Sequence, residues 1–198
     1  MSATSQVVVD SLGQVKIWES ELCFGPFRRE NVYLLESHSQ QKGLFPKGSI
    51  PKMAEFAWSD LNGNRPKVWI VEAKKSIADQ QDSERFNANL QEWTSKLANA
   101  ITMIAGVKAG AFRPEADLSD VPAYIKQLAL RDLQFLLVVV INAGWCTDTY
   151  CQAIQIELRK KLADPVRAWG MPKDSVYVYN RDMAQAKRLT TGEVDFQP

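Results

Sequence analysis

The chain has 198 residues, of which 45% are apolar and 24% charged, with six Trp and a formal net charge of +1. That length suits one sizeable domain, and that composition excludes a disordered or low-complexity chain. The net charge near zero neither announces nor excludes a polyanionic partner, so local patches must decide.

Taken in chain order, residues 7–9 and 15–18 read as short strands around a turn at Ser11-Leu12-Gly13. Beyond Gly25-Pro26, residues 27–38 place Phe27, Val32, Leu34 and Leu35 among charged side chains. That pattern fits a helix, and a strand almost as well; a helix is the preferred expectation. Gly43, Pro46, Gly48 and Pro51 mark an irregular connection. Residues 53–59 are expected to form a strand, residues 60–67 with Asn62-Gly63-Asn64 a hairpin turn, and residues 68–77 the returning arm.

The clearest helix follows. Phe86, Leu90, Trp93, Leu97, Ile101 and Ile104 recur at spacings of three and four, which predicts an amphipathic helix from about Ser83 to about Gly106. Residues 109–122 read as a loop and 123–130 as a short helix. Residues 133–142 contain seven consecutive apolar positions, as expected of a strand buried on both faces of a sheet. A second helix is expected over about 148–169, broken or kinked by Pro165, and a last strand over 175–179. The order helix, hairpin, helix, strand, helix, strand predicts a mixed α/β domain whose sheet is covered on both faces.

The longest apolar run, 135–141, is too short to span a bilayer, and residues 1–10 lack the basic start and apolar centre of a signal peptide. A cytoplasmic protein without membrane contact is therefore expected. Cys23, Cys146 and Cys151 are an odd set without zinc-type spacing, so no disulfide framework is expected. The segment Gly144-Trp145-Cys146 superficially resembles the Trp-Cys start of a thioredoxin redox site, but four residues separate Cys146 from Cys151 where that motif has two. A Cys at a helix N-terminus still has a lowered pKa, which keeps a redox reading for Cys146. The basic clusters Arg28-Arg29, Lys74-Lys75, Arg159-Lys160-Lys161 and Lys187-Arg188 would suit phosphates if gathered on one folded face, but read singly as solvated faces, Lys74 on its strand excepted, and the lone His38 reads as a surface residue.

Chemistry concentrates in Val68-Trp69-Ile70-Val71-Glu72-Ala73-Lys74-Lys75-Ser76. Residues i and i+2 of a strand share a face, so Glu72 and Lys74 would sit side by side. In a hairpin turning at residues 62–64, Glu72 faces about Glu55, whose charge interrupts an apolar run, while Asp60 lies nearer the turn. Burying such a carboxylate is unfavourable by several kcal/mol unless it is paired or metal-bound. Two acids and a lysine would hold Mg²⁺ against a phosphate oxygen, with Lys74 orienting or deprotonating a water and steadying developing negative charge. The competing reading is an exposed ion pair on an edge strand. Trp58 and Trp69 would then flank the site.

These residues resemble the PD-(D/E)xK nuclease superfamily, whose core is a helix, a strand hairpin, a helix and a further strand. Glu72-Ala73-Lys74 is similar to its (D/E)xK element and follows the usual apolar strand. Glu55 stands where the family carries the Asp of its proline-aspartate element, with Ala54 in place of the proline; Asp60 is the alternative acid. The resemblance implies a restriction-endonuclease-like mixed sheet flanked by helices, with residues 1–198 as a single nuclease-like domain. It implies a Mg²⁺- or Mn²⁺-dependent endonuclease acting on DNA in restriction, defence or repair, with catalytic Glu55, Glu72 and Lys74 and metal ligands drawn from Glu55, Glu72 and Asp60. Glu30, with Glu36 behind it, would supply an accessory acid from the first helix, and Gln91 a polar contact from the second. A homodimer or larger complex would serve to cut both strands. The alternative is a weak or inactive nuclease-fold subunit that binds nucleic acid or partner proteins.

Overall fold

The chain begins with three antiparallel strands, β1 (Gln6–Val9), β2 (Gln14–Glu19) and β3 (Leu22–Arg28), in a sheet of that order. The computed structural model describes residues 6–41, 44–45, 49–61, 65–112 and 116–193. The first two strands match the sequence pattern, since Val15 and Ile17 alternate with polar neighbours and are fully buried. The third was masked by Gly25-Pro26, which reads as a breaker. The β2–β3 register shifts between Val15 and Ile17, opposite Gly25 and Pro26, and such a bulge is where a strand tolerates a proline. Gly25 has φ +105°, and a Cβ there would lie 2.6 Å from the Val15 carbonyl oxygen, so only glycine fits.

The expected helix over 27–38 is therefore corrected. Phe27 ends in β3, residues 29–31 form a 3₁₀ turn, β4 is Val32–Tyr33, and α1 covers only Leu35–Gln41. Val32 and Tyr33 pair with Trp58 and Ala57 of the next strand. A β-branched and an aromatic residue beside a waiting sheet edge outweigh a marginal helical periodicity. His38 is buried rather than at the surface: its Nε2 lies 2.7 Å from the Asp117 carbonyl oxygen, and its ring packs edge-on to Tyr33.

The second sheet joins β4, β5 (Phe56–Asp60), β6 (Lys67–Lys74), β7 (Gln134–Ile141) and β8 (Val176–Asn180) in that order. Its first three strands are antiparallel and its last three parallel, so the sheet is mixed. The parallel strands are joined by helical crossovers: α2 (Ser83–Ala109) and α3 (Ala123–Gln127) between β6 and β7, then α4 (Asp148–Lys161) and α5 (Ala163–Ala168) between β7 and β8. A short α6 (Arg181–Ala186) follows β8. Asp82 caps α2 by accepting from the Arg85 N–H, and Gly110 ends it in the left-handed region. The single helix expected over 148–169 is two, parted at Leu162. Pro165 has no N–H to offer the Lys161 carbonyl and its ring crowds that position, so the break falls a turn before the proline. The predicted turn at residues 62–64 lies outside the described residues, as do Gly43, Pro46, Gly48 and part of the 109–122 loop.

The two faces of the sheet are covered differently. Ala57, Val68, Ile70, Leu137, Val139 and Ile141 pack with Leu90, Trp93 and Leu97 of α2 and with Ile154 and Leu158 of α4. On the other face, Phe56, Val71, Ala73, Val138 and Val140 pack against Val15, Ile17, Phe24 and Phe27 of the N-terminal sheet and Ala184 of α6. The mixed α/β class thus holds, while flanking by helices holds for one face; the other is covered mainly by a second sheet. Among the described residues, no helix is long and apolar enough to cross a membrane.

Candidate functional site

The site grows from the register of the hairpin. Phe56 pairs with Val71 and the Glu55 N–H donates to the Val71 carbonyl at 3.1 Å, which sets Glu55 across from Glu72. Both side chains share the face of Ala57 and Ile70, under α2. Glu72 is 0% exposed, because β6 is an interior strand between β5 and β7. The reading of Glu72 and Lys74 as an exposed edge-strand ion pair is thereby excluded.

Lys74 Nζ lies 2.8 Å from Glu72 Oε1 and 3.3 Å from Glu92 Oε1. Lys96 Nζ lies 2.8 Å from Glu72 Oε1 and 3.3 Å from Glu55 Oε1. Glu92 and Lys96 are one turn apart on α2 and lean onto the sheet together. Outside them, Lys52 Nζ lies 3.9 Å from Glu92 Oε2. Charge therefore alternates from solvent to interior, Lys52, Glu92, Lys74, Glu72, Lys96, and the series ends at the Glu55 carboxyl, with Lys74 at 23% exposure standing at the boundary.

Burial and neighbours set the protonation states. Burial first, and the nearby Glu72 charge second, push the Glu55 carboxyl up to about 9, against the pull of Lys96; Glu36 on α1 also bonds to it and raises it. Burial also drives Glu72 above the ordinary range, opposed by Lys96 and Lys74. Those lysines are themselves raised, because the anion beside each outweighs its desolvation. Two ammonium groups at 2.8 Å hold Glu72 as a carboxylate. Despite partial burial, Glu92 is lowered by Lys74 and Lys52.

The structure brings together Glu55, Glu72 and Lys74 and separates the remaining sequence-predicted residues. Asp60 pairs with Lys67 beside the turn, five residues along β5 and roughly 17 Å from Glu55. Glu30 is exposed in the 3₁₀ turn, where it lines a groove with Ser119 and Asp120. The α1 acid that reaches Glu55 is Glu36. Gln91 faces solvent; one position on, Glu92 turns inward. Trp58 and Trp69 lie on the opposite face, where Trp58 stacks on Phe27 with ring centres 4.7 Å apart. Of the basic clusters, 159–161 serves structure: Arg159 donates to the Val176 carbonyl, and Lys160 pairs with Glu157.

Lys96 and Glu92 were missed in the sequence because charged helix residues read as solvated. A signal was present, since Lys96 sits three residues after Trp93 and four before Ala100, inside the apolar stripe of α2.

No protein-family model, curated protein or solved structure matches this chain.

Among the described residues, no three His, Cys, Asp or Glu side chains form a group able to hold a metal ion. Mg²⁺ asks for less, because it keeps several waters and is bound through one or two carboxylates together with substrate phosphates. Among the described residues, Glu72 Oε2 is buried with no hydrogen-bond partner, and Glu55 stands opposite. An orphaned carboxylate oxygen beside a second acid is the hard-oxygen chemistry that suits Mg²⁺ or Mn²⁺, on condition that the ion's own charge draws the proton from Glu55 and takes the place of the Lys96 ammonium.

Proposed function

We propose that the chain is a Mg²⁺-dependent nuclease that hydrolyses phosphodiester bonds in DNA. The observation that carries this reading is the fully buried Glu72 carboxylate, with one oxygen unpartnered, facing Glu55 and touched by Lys74 on the solvent side. Glu55 and Glu72 are the residues that would hold the ion, which when bound supplies Lewis-acid activation of the scissile phosphate and of a water. Lys74 is raised by Glu72 and stays an ammonium at neutral pH. Its role is thus to orient the phosphate and stabilise developing negative charge rather than to remove a proton. Glu92 holds the Lys74 ammonium in place from α2. DNA as the substrate class rests on the resemblance to PD-(D/E)xK nucleases.

One observation favours a second reading. Lys96 touches both acids and already supplies a positive charge where a metal would, which suits an inactive nuclease-fold subunit that binds nucleic acid or partner proteins. Supercoiled plasmid incubated with the protein in Mg²⁺, in Mn²⁺ and in excess chelator separates the two. Nicking that appears with either metal and vanishes in chelator supports the nuclease. Retardation of the plasmid in a gel without any nicking supports the subunit and ends the nuclease reading.

A further inference from the structure

Cys146 and Cys151 lie with their Sγ atoms 3.3 Å apart, both buried and both free thiols. Cys146 closes the turn after β7, where its N–H donates to the Ala143 carbonyl. Cys151 sits in the first turns of α4 behind the capping Thr147. Asn180 Nδ2 fixes that turn by donating to the Cys146 carbonyl at 3.1 Å and to Asp148 Oδ1 at 2.7 Å. A disulfide needs a separation of about 2.05 Å, so closing the pair requires a movement of little more than about 1 Å.

We propose that Cys146 and Cys151 are a reversible thiol–disulfide pair oxidised by hydroperoxides, with Cys146 as the attacking thiol and Cys151 as the resolving one. The roles follow from placement. Cys146 is 4% exposed and lies beneath the exposed residues Gly144, Trp145, Thr147 and Asp148, whereas Cys151 is 0% exposed within the core. The contact between the two thiols lowers the pKa of Cys146 against burial and Asp148, and raises that of Cys151.

In the first step the Cys146 thiolate attacks one peroxide oxygen; the O–O bond breaks, the leaving oxygen takes a proton as water or alcohol, and Cys146 becomes a sulfenic acid. In the second step Cys151 sulfur attacks the sulfenic sulfur, the S–S bond forms, and hydroxide leaves as water with the Cys151 proton. Two thiols lose two protons and two electrons, and the peroxide gains them. The bridge ties the loop leaving β7, whose Asn142 N–H holds the Lys74 carbonyl at 2.7 Å, to the first turns of α4. Cys23 is the internal control, since it is equally buried but its thiol meets Glu193 rather than another cysteine.

The test treats the reduced protein with a small molar excess of hydrogen peroxide at neutral pH, blocks free thiols under denaturing conditions, and measures intact and peptide masses. Blockable thiols should fall from the three free cysteines to Cys23 alone. The peptide spanning residues 132–159 should lose the mass of two hydrogens, and dithiothreitol should restore all three. In Cys151→Ser the reaction should stop at a Cys146 sulfenic acid that dimedone traps. Three thiols remaining blockable in the wild type would overturn the proposal. So would oxidation of Cys23 at the same rate, or bridges found only between chains.

Discussion

Replacing Lys96 with Met removes the ammonium shared by Glu55 and Glu72 while keeping most of the aliphatic stem. In the wild type, that ammonium lies 2.8 Å from Glu72 and 3.3 Å from Glu55, and both acids are buried. Without it, Glu72 keeps Lys74 alone among the described residues as a counter-charge, and a buried carboxyl left so under-compensated escapes by taking up a proton. Protonating a carboxyl of ordinary value 4.5 at pH 7 costs about 3 kcal/mol, at about 1.4 kcal/mol per pH unit. That agrees with the roughly 3–5 kcal/mol measured when one partner of a buried ion pair is removed. At pH 5 the same protonation costs under about 1 kcal/mol, so the penalty should shrink with acid. Urea denaturation followed by Trp fluorescence, at pH 7 and pH 5, reads both numbers. A loss below about 1 kcal/mol at pH 7, or one that is the same at both pH values, refutes the picture of Lys96 as the buried counter-charge.

The protonation of Glu55 gives stability a sign with pH. The folded chain holds this proton up to about 9, whereas the ordinary value is 4.5, so between those values the folded state binds more protons than the unfolded. The contribution of Glu55 is complete below 4.5 and is lost as pH rises to about 9. Urea midpoints of the metal-free wild type should therefore fall more steeply from pH 5 to 9 than those of Glu55→Gln; parallel curves contradict the assignment. Asn180→Ala removes the α6 cap, whose side chain accepts from the Met183 N–H, and the donor to the Cys146 carbonyl. It should lower stability by about 1–3 kcal/mol in thermal denaturation, and a neutral effect would contradict that. Asp60→Ala and Gln91→Ala, being outside the site, should leave plasmid nicking unchanged, and a tenfold loss in either would return it to the site.

Much of this arrangement is legible in the sequence because it follows from periods. Hairpin pairing is symmetric about its turn, so placing the turn near residues 62–64 sets Glu72 opposite Glu55 to within one residue, and the pairing of Phe56 with Val71 decides the register. The run of apolar residues in β7 and the spacing of Phe86, Leu90, Trp93 and Leu97 fix a buried strand and a packed helix. Long-range recruitment is what the periods miss. β3 depends on a bulge that accommodates Gly25-Pro26, and β4 exists only because β5 offers an edge. The choice between Gln91 and Glu92 turns on one residue, which on a helix is about 100° of rotation. Lys96 escaped because a lysine is seldom buried, and here it is buried only because two acids await it.

The central claim is that Glu55, Glu72 and Lys74 hydrolyse phosphodiester bonds with a divalent cation, and DNA cleavage by side-chain variants tests it most directly. Rates of plasmid nicking in Mg²⁺ should be compared for the wild type, Glu72→Gln and Lys74→Ala, each first shown to be folded by circular dichroism. The account predicts metal-dependent cutting by the wild type and losses of about a hundredfold or more in each variant. Equal rates in all three proteins, or no cutting by any of them, would contradict it.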